Sequence, residues 1–193
     1  MIDKKMILVK YSAKLDENNV PYIVKRKMNE IEKVGYTLWG YNGVFCDPIN
    51  QVQPFCKNEK MKIYLVRTNS KYDDVQTGVK STQYTRNRDT WVQVPEGINV
   101  YNSSRAFIIE KFENVDIDLD IGQYEVAIGP STGIPAIRYL QGRTDKVCLR
   151  PTVENRPLSK ILHVSYVATL REPYAVYVKP TKQEQERAIQ AAY

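Results

Sequence analysis

Histidine is almost missing from this chain: His163 is the only one in 193 residues. Ser-His-Asp and Cys-His catalysis would both have to pass through it, and a zinc site would have to combine it with Cys46, Cys56 and Cys148, which are far apart in sequence. A histidine flanked by apolar residues in a β-type run is usually structural. Three cysteines are an odd number, poorly suited to a disulfide framework. The start "MIDKKMILVKYS" has too short an apolar run for a secretion signal, so reduced thiols and a cytoplasmic setting are expected. No stretch nears the roughly 20 apolar residues that span a bilayer, so no membrane partner is expected. Internal repeats and low-complexity linkers are absent as well. No Gly-Lys-Ser/Thr ending completes a Walker A loop.

What is present describes a globular, basic, tyrosine-rich chain. Its length suits one buried core, and 42% hydrophobic with 26% charged residues falls in the globular range, so a single domain over 1–193 is expected. Tyrosine occurs 14 times; its ring can be buried while its hydroxyl stays wet, which suits half-exposed strands and binding surfaces. A net charge of +6 and a pI near 9.1 favour anionic partners, because a basic surface raises the local concentration of phosphate-bearing molecules.

Periodicity gives the fold class. "KMILVKYS" (5–12) and "MKIYLVRT" (61–68) read as strands. Residues 20–34 read as a helix, with Asn19 as the cap, Val20, Ile23, Val24, Met28, Ile31 and Val34 on one face and Gly35 as the stop. Lys25, Arg26 and Lys27 fall on the other face, where solvation is expected. Residues 70–90 are polar and aperiodic, a long loop of the kind that carries sites. From Trp91 onward short β-type runs alternate with Pro, Gly and Asn, including "RAFIIEKF", "VDIDLDI", "IPAIRYL", "ILHVSYVATL" and "YAVYVKP". Thr181 with Glu184 three residues later opens a C-terminal helix over 181–193. Its thin apolar face suits either a contact between copies of the chain in a homo-oligomer or a frayed end. The expected fold is α+β: a mostly antiparallel sheet or partly closed barrel, one packed N-terminal helix and a C-terminal helix.

Three stretches carry candidate site residues. "YTLWGYNGVFCDPINQVQPF" (36–55) crowds aromatic rings around glycines and prolines. It reads either as a satellite core or as a stacking platform in which Trp39 and Tyr41 hold a base while Arg67, Arg86 and Arg88 meet its phosphate. "GPSTG" (129–133) can converge backbone amides on an anion, with Ser131 and Thr132 adding donors and Arg138, Arg143 and Lys146 adding charge. "VDIDLDIG" (115–122) puts Asp116, Asp118 and Asp120 on one strand face. The glycine and glutamate of an EF-hand are missing there, so no metal is assigned.

Two short resemblances stand beside these patterns. "HVS" (163–165) resembles one half of the paired His-x-Ser/Thr motif of 2H phosphodiesterases, which need two copies per site. Arg67, Ser81-Thr82 and "QYEV" (123–126) resemble the arginine, Ser-Thr-Ser and Gln/Glu-x-Glu series of ADP-ribosyltransferases, although Gln83 breaks the second element and a long segment follows Glu125. That resemblance would imply an enzyme in which Arg67 and Ser81 hold NAD and Glu125 polarises its ribose. The residues themselves favour a non-catalytic binding protein for a nucleotide or short nucleic acid, such as a sequestering or inhibitor protein, with no resident cofactor. A structural or assembly protein without a small ligand is the third class.

Overall fold

The computed structural model describes residues 4–68, 76–142, 144–154 and 158–192. The fold is α+β as expected. In chain order it comprises β1 (Met6–Ser12), α1 (Tyr22–Val34), β2 (Thr37–Tyr41), a π-helical turn (Pro48–Val52), α2 (Gln53–Cys56), β3 (Lys62–Thr68), β4 (Gln83–Thr85), β5 (Val92–Gln93), β6 (Arg105–Asp120), β7 (Tyr124–Val126), α3 (Ala136–Tyr139), β8 (Lys146–Pro151), β9 (Ile161–Lys179) and α4 (Lys182–Ala191). The strands form one nine-stranded sheet, ordered β2-β6-β9-β3-β1-β8-β7, with β4 also on β9 and β5 on β4. All pairs of named strands are antiparallel except β1 with β3.

The sheet coils without closing. Tyr11 on β1 and Trp39 on β2 stand four strands apart on that path, about 19 Å if a sheet of roughly 4.8 Å spacing were flat. Their rings nevertheless meet edge to face at 5.6 Å. The two regions therefore approach across a concave inner face, along an open seam between β2 and the β1/β8 pair. Strand alternation fills that face: Ile7, Val9 and Tyr11 point inward with Ile63, Leu65, Phe107 and Ile109, while Met6 and Leu8 point to a second core beneath α3. Ile7, Ile63, Phe107 and Ile109 are fully buried, each side chain being worth about 1.5–3 kcal/mol. A third cluster, built on Leu38, Ala106, Ile108, Val176 and Val178, is covered by Ile98 and Val100.

Local signals were right about several elements and wrong about others. Gly35 ends α1 in the left-handed conformation, its amide bonding to the Ile31 carbonyl. The helix starts at Pro21 rather than Asn19, because Asp16 takes the Asn18 and Val20 amides in a separate turn. Thr181 caps α4 by accepting from the Glu184 amide, and α4 buries none of its residues on the chain. "RAFIIEKF" and "VDIDLDI" are one strand, and so are "ILHVSYVATL" and "YAVYVKP". The turn-like Asn114 and Pro173 sit at irregularities of the β6–β9 ladder, where extra residues fit without ending a strand. "IPAIRYL" is not a strand. Pro135 precedes the short helix α3, whose Ala136 and Leu140 are buried at helical spacing.

The basic face of α1 also departs from the solvated reading. Lys27 is 2% exposed, and with Arg26 it turns inward to Glu30, which is itself buried. Glu30 accepts from Arg26 (2.9 Å), Lys27 (3.0 Å), the Asn99 amide (3.2 Å) and the Thr37 hydroxyl. This knot ties α1 to β2 and to the strap over the third core. No helix among the described residues is long and apolar enough to cross a membrane.

Candidate functional site at the sheet seam

The open seam leaves a cleft of about 540 Å³, within the range that holds small ligands. β1 contributes Lys10, Tyr11 and Ser12; β2 contributes Trp39, Gly40 and Tyr41; Thr144, Asp145 and Lys146 lead into β8. Gly40 is required for the close fit of its far wall, since a Cβ there would lie 2.2 Å from the Ser103 hydroxyl oxygen. A smaller cleft of about 150 Å³ shares Ile23, Trp39, Gly40 and Ser103 and extends toward Arg26 and Lys27.

The Lys146 ammonium carries the positive charge of the main cleft. Lys146 pairs with Asp145 at 2.9 Å and lies 5.3 Å above the Tyr41 ring. Lys10 alternates with Val9 and Tyr11 and turns its ammonium to the α3 side of the sheet, donating to the Leu140 carbonyl at 3.1 Å. Each uses one of three donors in these contacts. Burial, helped by Lys160 and opposed by Asp145, lowers the Lys10 ammonium below its ordinary value. Burial raises the Tyr11 hydroxyl far above the usual phenol range and keeps it neutral, and this hydroxyl has no hydrogen-bond partner among the described residues. An unpaired buried hydroxyl costs about 1–3 kcal/mol, so a polar ligand atom reaching it would be favoured.

The aromatic residues of 36–55 are core first. Trp39 and Tyr41 are 6% and 7% exposed. Phe107 stacks on Tyr41 at 4.4 Å while Lys146 covers it as a cation, and Trp39 is held between Tyr11 and Phe112. The open stacking platform is therefore corrected: both rings line the cleft, but their faces are taken by neighbours. Phe55 joins the same core, and Phe45 packs on Tyr139.

The expected arginines do not gather there. Arg67 donates to the Ala13 carbonyl, Arg86 pairs with Glu172 at 3.1 Å, and Arg88 stacks on Tyr177 at 4.2 Å beside Asp47. Arg143 lies outside the described residues, as does part of the 70–90 loop. The remainder of that loop contains β4 and is tied to β9 and to Val100. The 129–133 turn is not an open amide nest, because the amides of Thr132, Gly133 and Ile134 bond to Gly129, Val126 and Ser131, and the Thr132 hydroxyl bonds to Gly129. Ser131 therefore sits in an ordinary tight turn, and Arg138 is exposed on α3.

The catalytic resemblances are not assembled either. Arg67 is on β3 and Glu125 on β7, with β1 and β8 between them; Glu125 pairs with Arg150 at 2.8 Å, and Ser81 is buried beside Ser103. His163 faces Asp118 across the β6–β9 ladder, its ring nitrogen 3.4 Å from that carboxylate, on an exposed face. No group of three metal-ligating side chains is present among the described residues. The three cysteines are buried in one core, with the Cys148 thiol hydrogen-bonded to Cys46. Burial pushes Cys56 up to about 12 and Cys148 well above its ordinary value, so both remain unreactive thiols.

Lys10 and Tyr11 escaped the sequence reading because only their place at the end of a strand singled them out. Lys146 was attached to the wrong turn by its proximity in sequence. No protein-family model matches this chain, and neither the curated proteins nor the solved structures compared with it give a match.

Proposed function

We propose that the protein is a non-catalytic binder of a nucleotide-sized anionic ligand, held in the seam cleft. The observation that carries this reading is a cleft of about 540 Å³ lined by Lys146, whose ammonium has unused donors, and by Tyr11, whose buried hydroxyl has no partner among the described residues. Lys146 meets the anionic group. Tyr11 supplies a directional donor, and Ser12, Thr68 and Thr144 line the polar rim. A cleft of this size suits a mononucleotide better than a nucleic-acid strand, which needs an open groove. The covered faces of Trp39 and Tyr41 give the ligand apolar edges rather than a stacking surface. Such a protein would act by sequestering its ligand or by presenting it to a partner.

Native mass spectrometry of protein purified from cells tests this directly. A mass increment matching an anionic metabolite, lost on raising the salt and reduced in Lys146→Met, is the expected result. Wild-type protein without a bound species, which also takes up none of the common nucleotides at millimolar concentration, contradicts the reading.

A further inference from the structure

A second cluster of charge lies outside the seam cleft. Asp47, at the start of the π-helical turn, is 8% exposed; its carboxylate accepts from the Tyr177 hydroxyl at 2.8 and 2.7 Å and from the Asn50 amide at 3.0 Å. Arg88 and Arg105 both approach the same Asp47 oxygen, Oδ2, but each stops at 3.7 Å, beyond hydrogen-bond length. Both guanidiniums lie against the Tyr177 ring, at 4.2 and 5.6 Å from its centre. Among the described residues, the Nε of Arg105 is buried without an acceptor, and its Nη1 reaches only the Ser104 hydroxyl at 3.0 Å. Two positive charges therefore face one negative charge, and most guanidinium donors are unused.

We propose that Arg88 and Arg105, backed by Tyr177 and Asp47, form a binding site for a single oxyanion: a phosphoryl group or a carboxylate. Each arginine presents a planar fork of N–H donors matched to such a group. Because both reach one oxygen at 3.7 Å, their nearest nitrogens are no farther apart than twice that distance, a gap that one oxyanion bridges with N–H···O bonds of about 2.8 Å. The Tyr177 ring positions the arginines, and Asp47 lowers their net positive charge. The Arg88 side chain is 57% exposed and that of Arg105 17%, so the anion approaches from the Arg88 side. The turn that presents Arg88 is held by Thr85, whose hydroxyl accepts the Arg88 amide.

Isothermal titration calorimetry with inorganic phosphate, and separately with acetate, tests the site on the wild type, Arg88→Met, Asp47→Asn and Lys146→Met. The wild type should bind phosphate saturably. Arg88→Met should weaken binding at least tenfold without changing the melting temperature appreciably, since the side chain is exposed. Asp47→Asn should tighten it several-fold, an outcome that a merely structural ion cluster would not give. Lys146→Met removes any heat that comes from the seam cleft and leaves this site intact, so the two sites fail separately. Binding of phosphate alone assigns a phosphoryl ligand; equal binding of acetate assigns a carboxylate. Absence of saturable heat in both the wild type and Asp47→Asn overturns the proposal, and so does binding indifferent to Arg88→Met.

Discussion

Glu30 and Asp47 carry the same charge inventory, one buried carboxylate facing two cationic side chains, yet they are built differently. Arg26 and Lys27 both hydrogen-bond to Glu30, and both also donate to the Asn99 carbonyl, so the cations are drawn into the fold. Arg88 and Arg105 stop at 3.7 Å from Asp47 and lean on an aromatic ring instead. Burial raises the Asp47 carboxyl, but the Asn50 amide, the Tyr177 hydroxyl and the charges of Arg105 and Arg88 outweigh it, and the net shift is below the usual carboxylate value. Coordination, rather than the number of charges, separates a structural knot from a site with donors to offer.

Breaking the knot should have the largest effect. Glu30→Ala leaves Lys27 as an unbalanced buried charge, and a loss of about 3–5 kcal/mol in denaturant unfolding is expected. A loss of less than about 1 kcal/mol would mean that the knot is not structural. Tyr177→Phe removes the hydroxyl that Asp47 accepts; a loss of about 1.5–3 kcal/mol is expected, because the acceptor is charged.

Asp47→Asn is milder, since an amide oxygen can still accept from Asn50 and Tyr177; about 1 kcal/mol at neutral pH is expected. Its sharper readout is the pH dependence. A carboxyl whose folded pKa is depressed stabilises the fold above its unfolded value, near 3.9 for Asp, and that contribution is lost as the pH falls through the folded value. The acid limb of the stability curve should therefore be flatter in Asp47→Asn than in the wild type, and superimposable limbs would contradict the assigned shift. The smallest effect belongs to the exposed pair Arg86–Glu172, both side chains being more than 60% exposed: Arg86→Ala should cost no more than about 0.5 kcal/mol.

These differences mark the reach of the sequence. α1, β1, β3 and the α4 cap were legible because each carries its signal in a few consecutive residues: an apolar period, a continuous apolar run or a capping pair. The lengths of β6 and β9 were not, since Asn114 and Pro173 are turn residues by chemistry and ladder irregularities by context. The seam cleft was invisible for a different reason: coiling of the sheet brings Trp39 on β2 against Tyr11 and Lys146 on the neighbouring strands β1 and β8, four or more strands away in the sheet order. Arg88 was recognised as basic, but its partners Asp47, Arg105 and Tyr177 are assembled only when β6, β9 and the π-helical turn converge. The rings of 36–55 had the right location and the wrong accessibility, because hydrophobic burial claimed their faces.

The most direct test of the ligand reading uses Trp39, which lines the cleft. The chain has 2 tryptophans, so Trp91→Phe leaves Trp39 as the sole reporter. Titration of that variant with adenosine triphosphate should change the Trp39 emission saturably, with affinity that falls as salt is added and at least tenfold further on Lys146→Met. An emission that does not respond, or a saturable response indifferent to both salt and Lys146, would contradict the account.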